Sequence, residues 1–538
     1  MSNKNISRRS FLSAALAAPV VAAVASSCAQ VRTPQAGTRL SGQALEAVDH
    51  LIIGTGYGGA VAAYRLASVG QRVTMLEMGK RWDTPGSDGK IFTPIMKPDS
   101  RSMWYRNRTE LPMNTFLGLS VEQWTRRGPG ALDRRQLGDM DVYLGRGVGG
   151  GSLVNAGMAP RPRRDMVAKQ LPAVDVEEFF ATYLPRAERE LGISSIDPAF
   201  MESTPWYQYA RTGRRDAQQA GYKVVDIPNN YDFAYMQAEA AGRVPRSALN
   251  GELIFGNNHG KRNLTKTYLG RAEATGRVEI HTMTEVLTVR PATGGYRVET
   301  QVRNFDGTIV ARPTYLARRV YFGAGSVGTT EILLRSAAQG YLTDLSPELG
   351  RGWGANGNVT FGRANHLWRP TGNKQSMVPV LGIDNWDSPN ACFAEIAPLP
   401  VPLELYLQFY LVIADNPNSG TLSLQNGRLT SNWVRSMNRP AIEKVRATFD
   451  VINRQQGTLY RNDLFGNGEV FNADFTYHPL GGAVLGQVTD AYGRLPGYQG
   501  LYVTDGSLIP RLLGVNPYLT ITALAERLMD EILTKDLA

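Results

Sequence analysis

The sharpest change of hydrophobic pattern falls in residues 50–80. A short apolar run, Leu51-Ile52-Ile53, predicts a buried strand and leads into Gly54-Thr55-Gly56-Tyr57-Gly58-Gly59. Residues 60–69 read as a helix closed by Gly70, and residues 72–76 as a second strand ending at Glu77. Strand, glycine turn, helix, strand and acid, in that order, predict a dinucleotide site. Gly54 allows the tight turn, Gly56 lets a pyrophosphate approach the backbone, and Gly59 lets the helix pack close to the strand. The helix start offers free N–H groups and partial positive charge to phosphates. Glu77 is placed to accept hydrogen bonds from ribose hydroxyls. The pattern does not separate FAD from NAD.

Further along, residues 165–215 read as mostly helical. Val176, Phe179, Phe180, Tyr183 and Leu184 recur on one helix face, and Pro185 predicts a break after them. Residues 229–236 and 255–260 read as loops. From 278 to 322 the pattern alternates as short strands, with turns at Gly294-Gly295 and Asp306-Gly307. Val320 to Ser326 then runs as a strand into a helix over 329–337, which returns the chain to the first domain and makes that domain discontinuous. Residues 81–135 show little periodicity, as a lid or an ordinary surface loop does. Met103-Trp104-Tyr105 and residues 113–117 are its candidates for covering an apolar substrate.

Composition is that of a globular protein, 43% hydrophobic and 20% charged over 538 residues. Ser7-Arg8-Arg9-Ser10-Phe11-Leu12 and the alanine-rich stretch after it read as a twin-arginine export signal over residues 1–30, followed by a polar linker over 31–43. Cys28 is an alternative lipid-attachment site. If Cys28 falls in the signal, Cys392 stands alone and no internal disulfide is possible. Losing Lys4, Arg8 and Arg9 with the signal takes the formal charge from +10 to +7. The remaining charges are scattered, with no basic arm for nucleic acid and no zinc-type Cys/His spacing. A mild basic excess favours contact with anionic membrane surfaces, or is only a solvated exterior.

Residues 143–158 hold six glycines, too many for a stable helix or strand but suited to close backbone approach to a flat ligand. Of the five histidines, His50 precedes the first strand and reads as structural. His478 stands in Tyr477-His478-Pro479-Leu480-Gly481-Gly482. Asn516 stands in Val515-Asn516-Pro517-Tyr518, where it fits the cap of a last helix with Pro517 at the first helical position. Glu395 lies in the apolar run Cys392 to Pro398. On pattern alone it is a surface residue of an alternating strand; buried without a cation it would have a raised pKa.

The first fingerprint together with the second glycine cluster resembles the glucose–methanol–choline (GMC) family of FAD oxidoreductases. His478-Pro479-Leu480-Gly481-Gly482, Asn516-Pro517-Tyr518, Phe393 to Pro398 and Tyr502 to Pro510 resemble its bacterial cholesterol oxidase branch with non-covalent FAD. The likeness runs from about residue 48 to the C-terminus.

That resemblance implies an α/β fold. A Rossmann-like FAD-binding domain over 44–82, 262–352 and 493–538 is interleaved with a steroid-binding domain over 83–261 and 353–492, built on a large antiparallel sheet plus helices. It implies oxidation of a 3β-hydroxyl with O2 to give H2O2, with His478 assisting loss of the hydroxyl proton and Asn516 orienting substrate and flavin. Glu395 is implied as the base that turns a 5-en-3-one into the 4-en-3-one. FAD contacts fall on Gly54, Gly56, Tyr57, Gly58, Gly59, Glu77, Gly151, Asn155, Ala156, Met158, Val286, Asp505, Gly506 and Tyr518. Ala156 and Tyr518 depart from the common glycine and phenylalanine. Expected partners are cholesterol and related sterols, O2 and, transiently, a membrane surface, for a secreted monomer without metal. Another GMC alcohol oxidase or dehydrogenase, or a flavin-retaining sterol-binding envelope protein, are the alternatives.

Overall fold

The computed structural model describes residues 45–399 and 401–537. The expected export signal, its linker and Cys28 lie outside them. The strand Leu45–Ile53 forms the centre of a parallel array. It lies between Thr314–Phe322 and Val73–Leu76, with Val278–His281 beyond the latter and Leu501–Val503 beyond the former. Four stretches far apart in sequence therefore meet in one sheet. Leu51, Ile52 and Ile53 are buried, as an unbroken apolar run in a parallel sheet demands. The meander Thr284–Ala292, Gly295–Arg303, Ile309–Ala311 joins through the first half of Thr314–Phe322.

The helix Tyr57–Ser68 follows the glycine turn and packs against the last helix, Tyr518–Lys535. Arg65 and Arg186 both reach Glu526 and Asp530 across this contact, and Tyr268 donates to the buried Glu526 at 2.8 Å. The second large sheet is antiparallel throughout, in the order Asn358–Ala364, Leu407–Ala414, Cys392–Ala397, Leu381–Asp384, Lys223–Asp226. Ala394, Ile396, Tyr410 and Val412 pack with Ala217, Val445 and Phe449 of the helices Gln208–Gln219 and Arg439–Gln456. Strand alternation turns Phe393, Glu395, Leu411 and Ile413 to the opposite face.

The structure corrects several expectations. The helix does not break at Pro185. A π turn over Phe179–Tyr183 precedes the proline, and helix Leu184–Leu191 takes it in its first turn, where a missing N–H costs nothing. The loop expected over 229–236 already contains the start of helix Phe233–Ala240, capped by Asp232. Met103 and Trp104 do not cover a cavity; both are buried, and Met103 packs with Leu132, Tyr143, Phe255 and Phe475. Leu117 and Leu119, at a short hairpin in the same stretch, are exposed.

Backbones meet where the two ends of the chain join. A Cβ on Gly58 would lie 1.9 Å from the Thr504 carbonyl oxygen, and one on Gly59 2.3 Å from that of Gly54. Gly58→Ala must force these backbones apart, so melting temperature falls and flavin is lost on purification, against an overpacking cost of about 1–3 kcal/mol. Thermal melts and the flavin-to-protein absorbance ratio measure both effects.

Candidate active site

A cavity of about 700 Å³ runs between the two sheets. At one end it is lined by Gly54, Gly56, Tyr57, Gly58, Glu77, Val286 and Gly325, and at the other by Tyr477, His478 and Asn516. Its long wall is the second glycine cluster, including Gly151, Asn155, Ala156 and Met158. Gly56 ends the turn as N-cap of helix Tyr57–Ser68, so the first N–H groups of that helix start at the cavity wall. A Cβ on Gly151 would meet no protein atom within 4 Å, and one on Gly56 only the Gly323 oxygen at 3.6 Å. The space against both backbones is left for a ligand. Gly59 faces the strand instead, packed on Ile52 and Gly54.

Glu77 closes this end. Its carboxylate accepts from the Thr55 hydroxyl (2.6 Å) and the N–H groups of Thr55 (3.2 Å), Gly79 (2.9 Å) and Gly147 (3.3 Å). Burial nevertheless raises its pKa above the usual carboxylate value. Asp505 is likewise spent on the protein. It accepts from Ser507 and from the Gly325 N–H and Thr329 hydroxyl, tying the second strand–glycine–helix unit to Gly506 at the cavity wall.

Two tyrosines pin the glycine-rich wall. Asn155 Nδ2 donates to the Tyr57 hydroxyl at 2.6 Å, and the Tyr518 hydroxyl donates to the Gly157 carbonyl at 2.8 Å. The two rings stack, centroids 4.9 Å apart at 21°. The hydroxyl that phenylalanine would lack thus holds the loop. Asn155 Oδ1 is buried without a hydrogen-bond partner. Lys261, fully buried, donates to the Leu153 and Asn155 carbonyls. No periodicity or motif marked Lys261 in the sequence.

The other end of the cavity centres on His478. It follows the strand Phe475–Thr476 in a loop whose turn is fixed by its own N–H on the Thr476 hydroxyl (2.8 Å). Asn358 Nδ2 lies 3.1 Å from His478 Nδ1. The Tyr477 N–H donates to Asn358 Oδ1 at 3.3 Å, which identifies that atom as the oxygen and leaves Nδ2 as the donor to His478. The proton of the neutral ring therefore sits on Nε2; Asn516 Nδ2, 3.5 Å away, is also a donor, so the two face each other without a hydrogen bond. Burial lowers the His478 pKa to about 4, so the ring is neutral at physiological pH. Asn358 was not singled out in the sequence, because Asn356-Gly357-Asn358 reads as an ordinary turn.

Asn516 is not the cap of the last helix. Pro517 takes that position and Tyr518 begins the helix, so the Asn516 amide lies between His478 and Glu395 instead, its Oδ1 buried without a partner. Glu395 is not a surface residue either. Its strand is central in the antiparallel sheet, it is wholly buried, and neither carboxylate oxygen has a hydrogen-bond partner. Burial raises its pKa to about 8, moderated by the neighbouring Asn516 side chain. His478 and Asn516 line the cavity, while Asn358 stands behind the imidazole and the buried Glu395 carboxyl beside Asn516, neither of the latter two lining the cavity itself.

Tyr518→Phe removes one buried hydrogen bond to the loop and leaves the Gly157 carbonyl with the Asn230 N–H alone, at 2.9 Å. The Kd for FAD then rises about fivefold, measured by flavin fluorescence on reconstitution of the apoprotein.

Residues 49–373 match the family described as FAD dependent oxidoreductase, and residues 356–466 and 434–525 match two C-terminal GMC oxidoreductase families. The cholesterol oxidase of Acinetobacter baumannii is 26% identical, covering 90% of this chain and 94% of that protein. The cholesterol oxidase of Mycobacterium tuberculosis is 27% identical, covering 89% and 90%. An uncharacterized GMC-type oxidoreductase of Sinorhizobium fredii is 23% identical over 90% of this chain and 94% of its own. Among solved structures, pyridoxine 4-oxidase from Mesorbium loti shares the fold with a TM-score of 0.60 at 16% identity, over 90% of this chain and 99% of that one. The cofactor is FAD, for which the glycine cradle and the orphaned Asn155 oxygen leave room. The chain belongs to the FAD dependent oxidoreductases, and its C-terminal part matches GMC oxidoreductases.

Proposed function

We propose that this protein is a 3β-hydroxysteroid oxidase that oxidises cholesterol with O2, giving H2O2 and a 5-en-3-one, and then isomerises that product to the 4-en-3-one. Two relatives named cholesterol oxidase, each matched along most of its length, support the sterol as substrate. The observation that carries the reading is Glu395. Oxidising an alcohol needs no uncompensated carboxyl buried beside Asn516, whereas moving a proton between two carbons of an apolar ring system does.

FAD, when bound, supplies the acceptor for the hydride leaving C3 and the route of the electrons to O2. The protein holds and moves protons around it. His478 Nε2–H donates to the C3 oxygen and stabilises charge there as the hydroxyl proton leaves to water. Asn358 keeps that proton on Nε2. Asn516 orients the hydroxyl through its amide. The Glu395 carboxylate removes the C4 proton and returns it at C6. In this reading residues 44–82, 262–352 and 493–538 form the FAD-binding part and residues 83–261 and 353–492 the steroid-binding part. The enzyme is a monomer, exported by its twin-arginine signal, that meets its substrate at a membrane surface. A GMC oxidase or dehydrogenase for another alcohol is the second reading, since relatives at similar identity include GMC-type oxidoreductases that are uncharacterized.

Glu395→Gln keeps steroid oxidation but slows isomerisation by at least about 100-fold, so 5-en-3-one accumulates in chromatography of the products. Formation of 4-en-3-one at the wild-type rate contradicts the assignment. Because burial raises this carboxyl to about 8, the active carboxylate is the minor form at neutral pH. The isomerisation rate, measured on added 5-en-3-one, therefore rises with pH through about 8, while neutral His478 leaves oxidation without a step there. A flat isomerisation profile from pH 6 to 9 contradicts the role of Glu395.

A further inference from the structure

Away from the active site, helix Gln208–Gln219 presents Gln208, Arg211, Thr212 and Arg215 along one face. Residues 368–370 lie opposite, and the two walls enclose a separate crevice of about 400 Å³. Its guanidinium groups are under-compensated. Arg215 (3.5 Å), Arg363 (3.7 Å) and Arg369 (3.8 Å) share one carboxylate, the buried Asp216. Arg211 forms no ion pair among the described residues; it donates to the Met201 and Thr204 carbonyls, while Glu202 is taken by Arg214 at 2.7 Å. Glu404 is turned to the N–H groups of Thr371, Gly372 and Tyr406. Three guanidiniums thus share one acid and Arg211 has no ion pair among the described residues; Arg211, Arg215 and Arg369 line the crevice.

The rim of this crevice is apolar and exposed. Trp368 stacks on His366 at 4.4 Å and is 74% exposed, beside the equally bare Leu367. The Ala364 N–H donates to the Leu459 carbonyl at 2.8 Å, which brings in the exposed Leu459, and Asn365 bonds to Tyr406 of the loop that carries exposed Leu403. Asn358, at His478, and Ala364, at this rim, are the ends of one strand, about 20 Å apart at 3.3 Å per residue.

We propose that the crevice binds the phosphate of an anionic phospholipid headgroup while Trp368, Leu367 and Leu459 seat among the lipid chains. This rests on the reading that the enzyme meets its substrate at a membrane. Guanidinium forks match phosphate geometry, and a ring of tryptophan and leucine beside them matches the interface between headgroup and acyl chain. The excess positive charge selects an anionic over a zwitterionic surface.

The test is binding of the flavin-loaded full chain to sterol-free vesicles of phosphatidylcholine, with and without phosphatidylserine. Leaving sterol out makes the result independent of the substrate reading. Wild type binds the anionic vesicles more tightly. Arg211→Gln/Arg215→Gln loses about 25-fold of that affinity, at about fivefold per arginine charge, with little change on phosphatidylcholine alone. Trp368→Ala weakens binding to both. Arg243→Gln/Arg277→Gln, the same charge change at exposed sites elsewhere, has a much smaller effect. Flavin absorbance and melting temperature confirm that each variant is folded. The proposal is overturned if the crevice variant binds anionic vesicles like wild type, if it loses no more than the control pair, or if neither vesicle is bound. It is also overturned if inorganic phosphate binds the crevice in calorimetry while vesicle binding ignores both arginines, which makes this a soluble-anion site.

Discussion

Backbone meeting backbone, with no side chain between, is the constraint on which the rest of the structure depends. Gly58 lies against Thr504, Gly59 against Gly54, and Gly323 against Gly59. These contacts bring the first strand–turn–helix, the strand Thr314–Phe322 and the C-terminal strand Leu501–Val503 to one point. The same approach leaves the backbones of Gly56 and Gly151 facing open space, which is the cofactor cradle. Closing the two ends of the chain on each other and making room for a dinucleotide are one event.

That closure also carries the last helix to the antiparallel sheet, and so Asn516 to His478 and Glu395. The groups there are costly to bury. Glu395 has no cation and no hydrogen bond, and His478 is held neutral by desolvation. A structural carboxyl would be paired or exposed. One kept neutral at moderate pH and poised near 8 is equipped to take and return a proton, and the cost of burying it is met by the surrounding packed sheet.

Much of this was legible in the sequence because local pattern and backbone demand coincide. The 50–80 fingerprint, the glycine cluster at 143–158 and the turns at Gly294-Gly295 and Asp306-Gly307 appear where the residues place them. What was not legible depends on tertiary context. A proline looks like a stop unless a π turn has already released the hydrogen bond it lacks, as at Pro185. An Asn before Pro looks like a cap, and only the helix start at Tyr518 shows that Pro517 takes that place. Glu395 looks like one polar position of an alternating strand until that strand is seen between two others. Asn358 and Lys261 act on His478 and on the glycine loop across more than a hundred residues of sequence, a relation no spacing can carry.

The central claim is that oxidation and isomerisation of a sterol are coupled in one flavin site. The most direct test is to add cholesterol micelles to the purified yellow protein in air, following conjugated enone and peroxide together. The account predicts that both rise in equal amounts, with no lasting build-up of unconjugated ketone. Flavin that stays oxidised, with neither product formed, contradicts it.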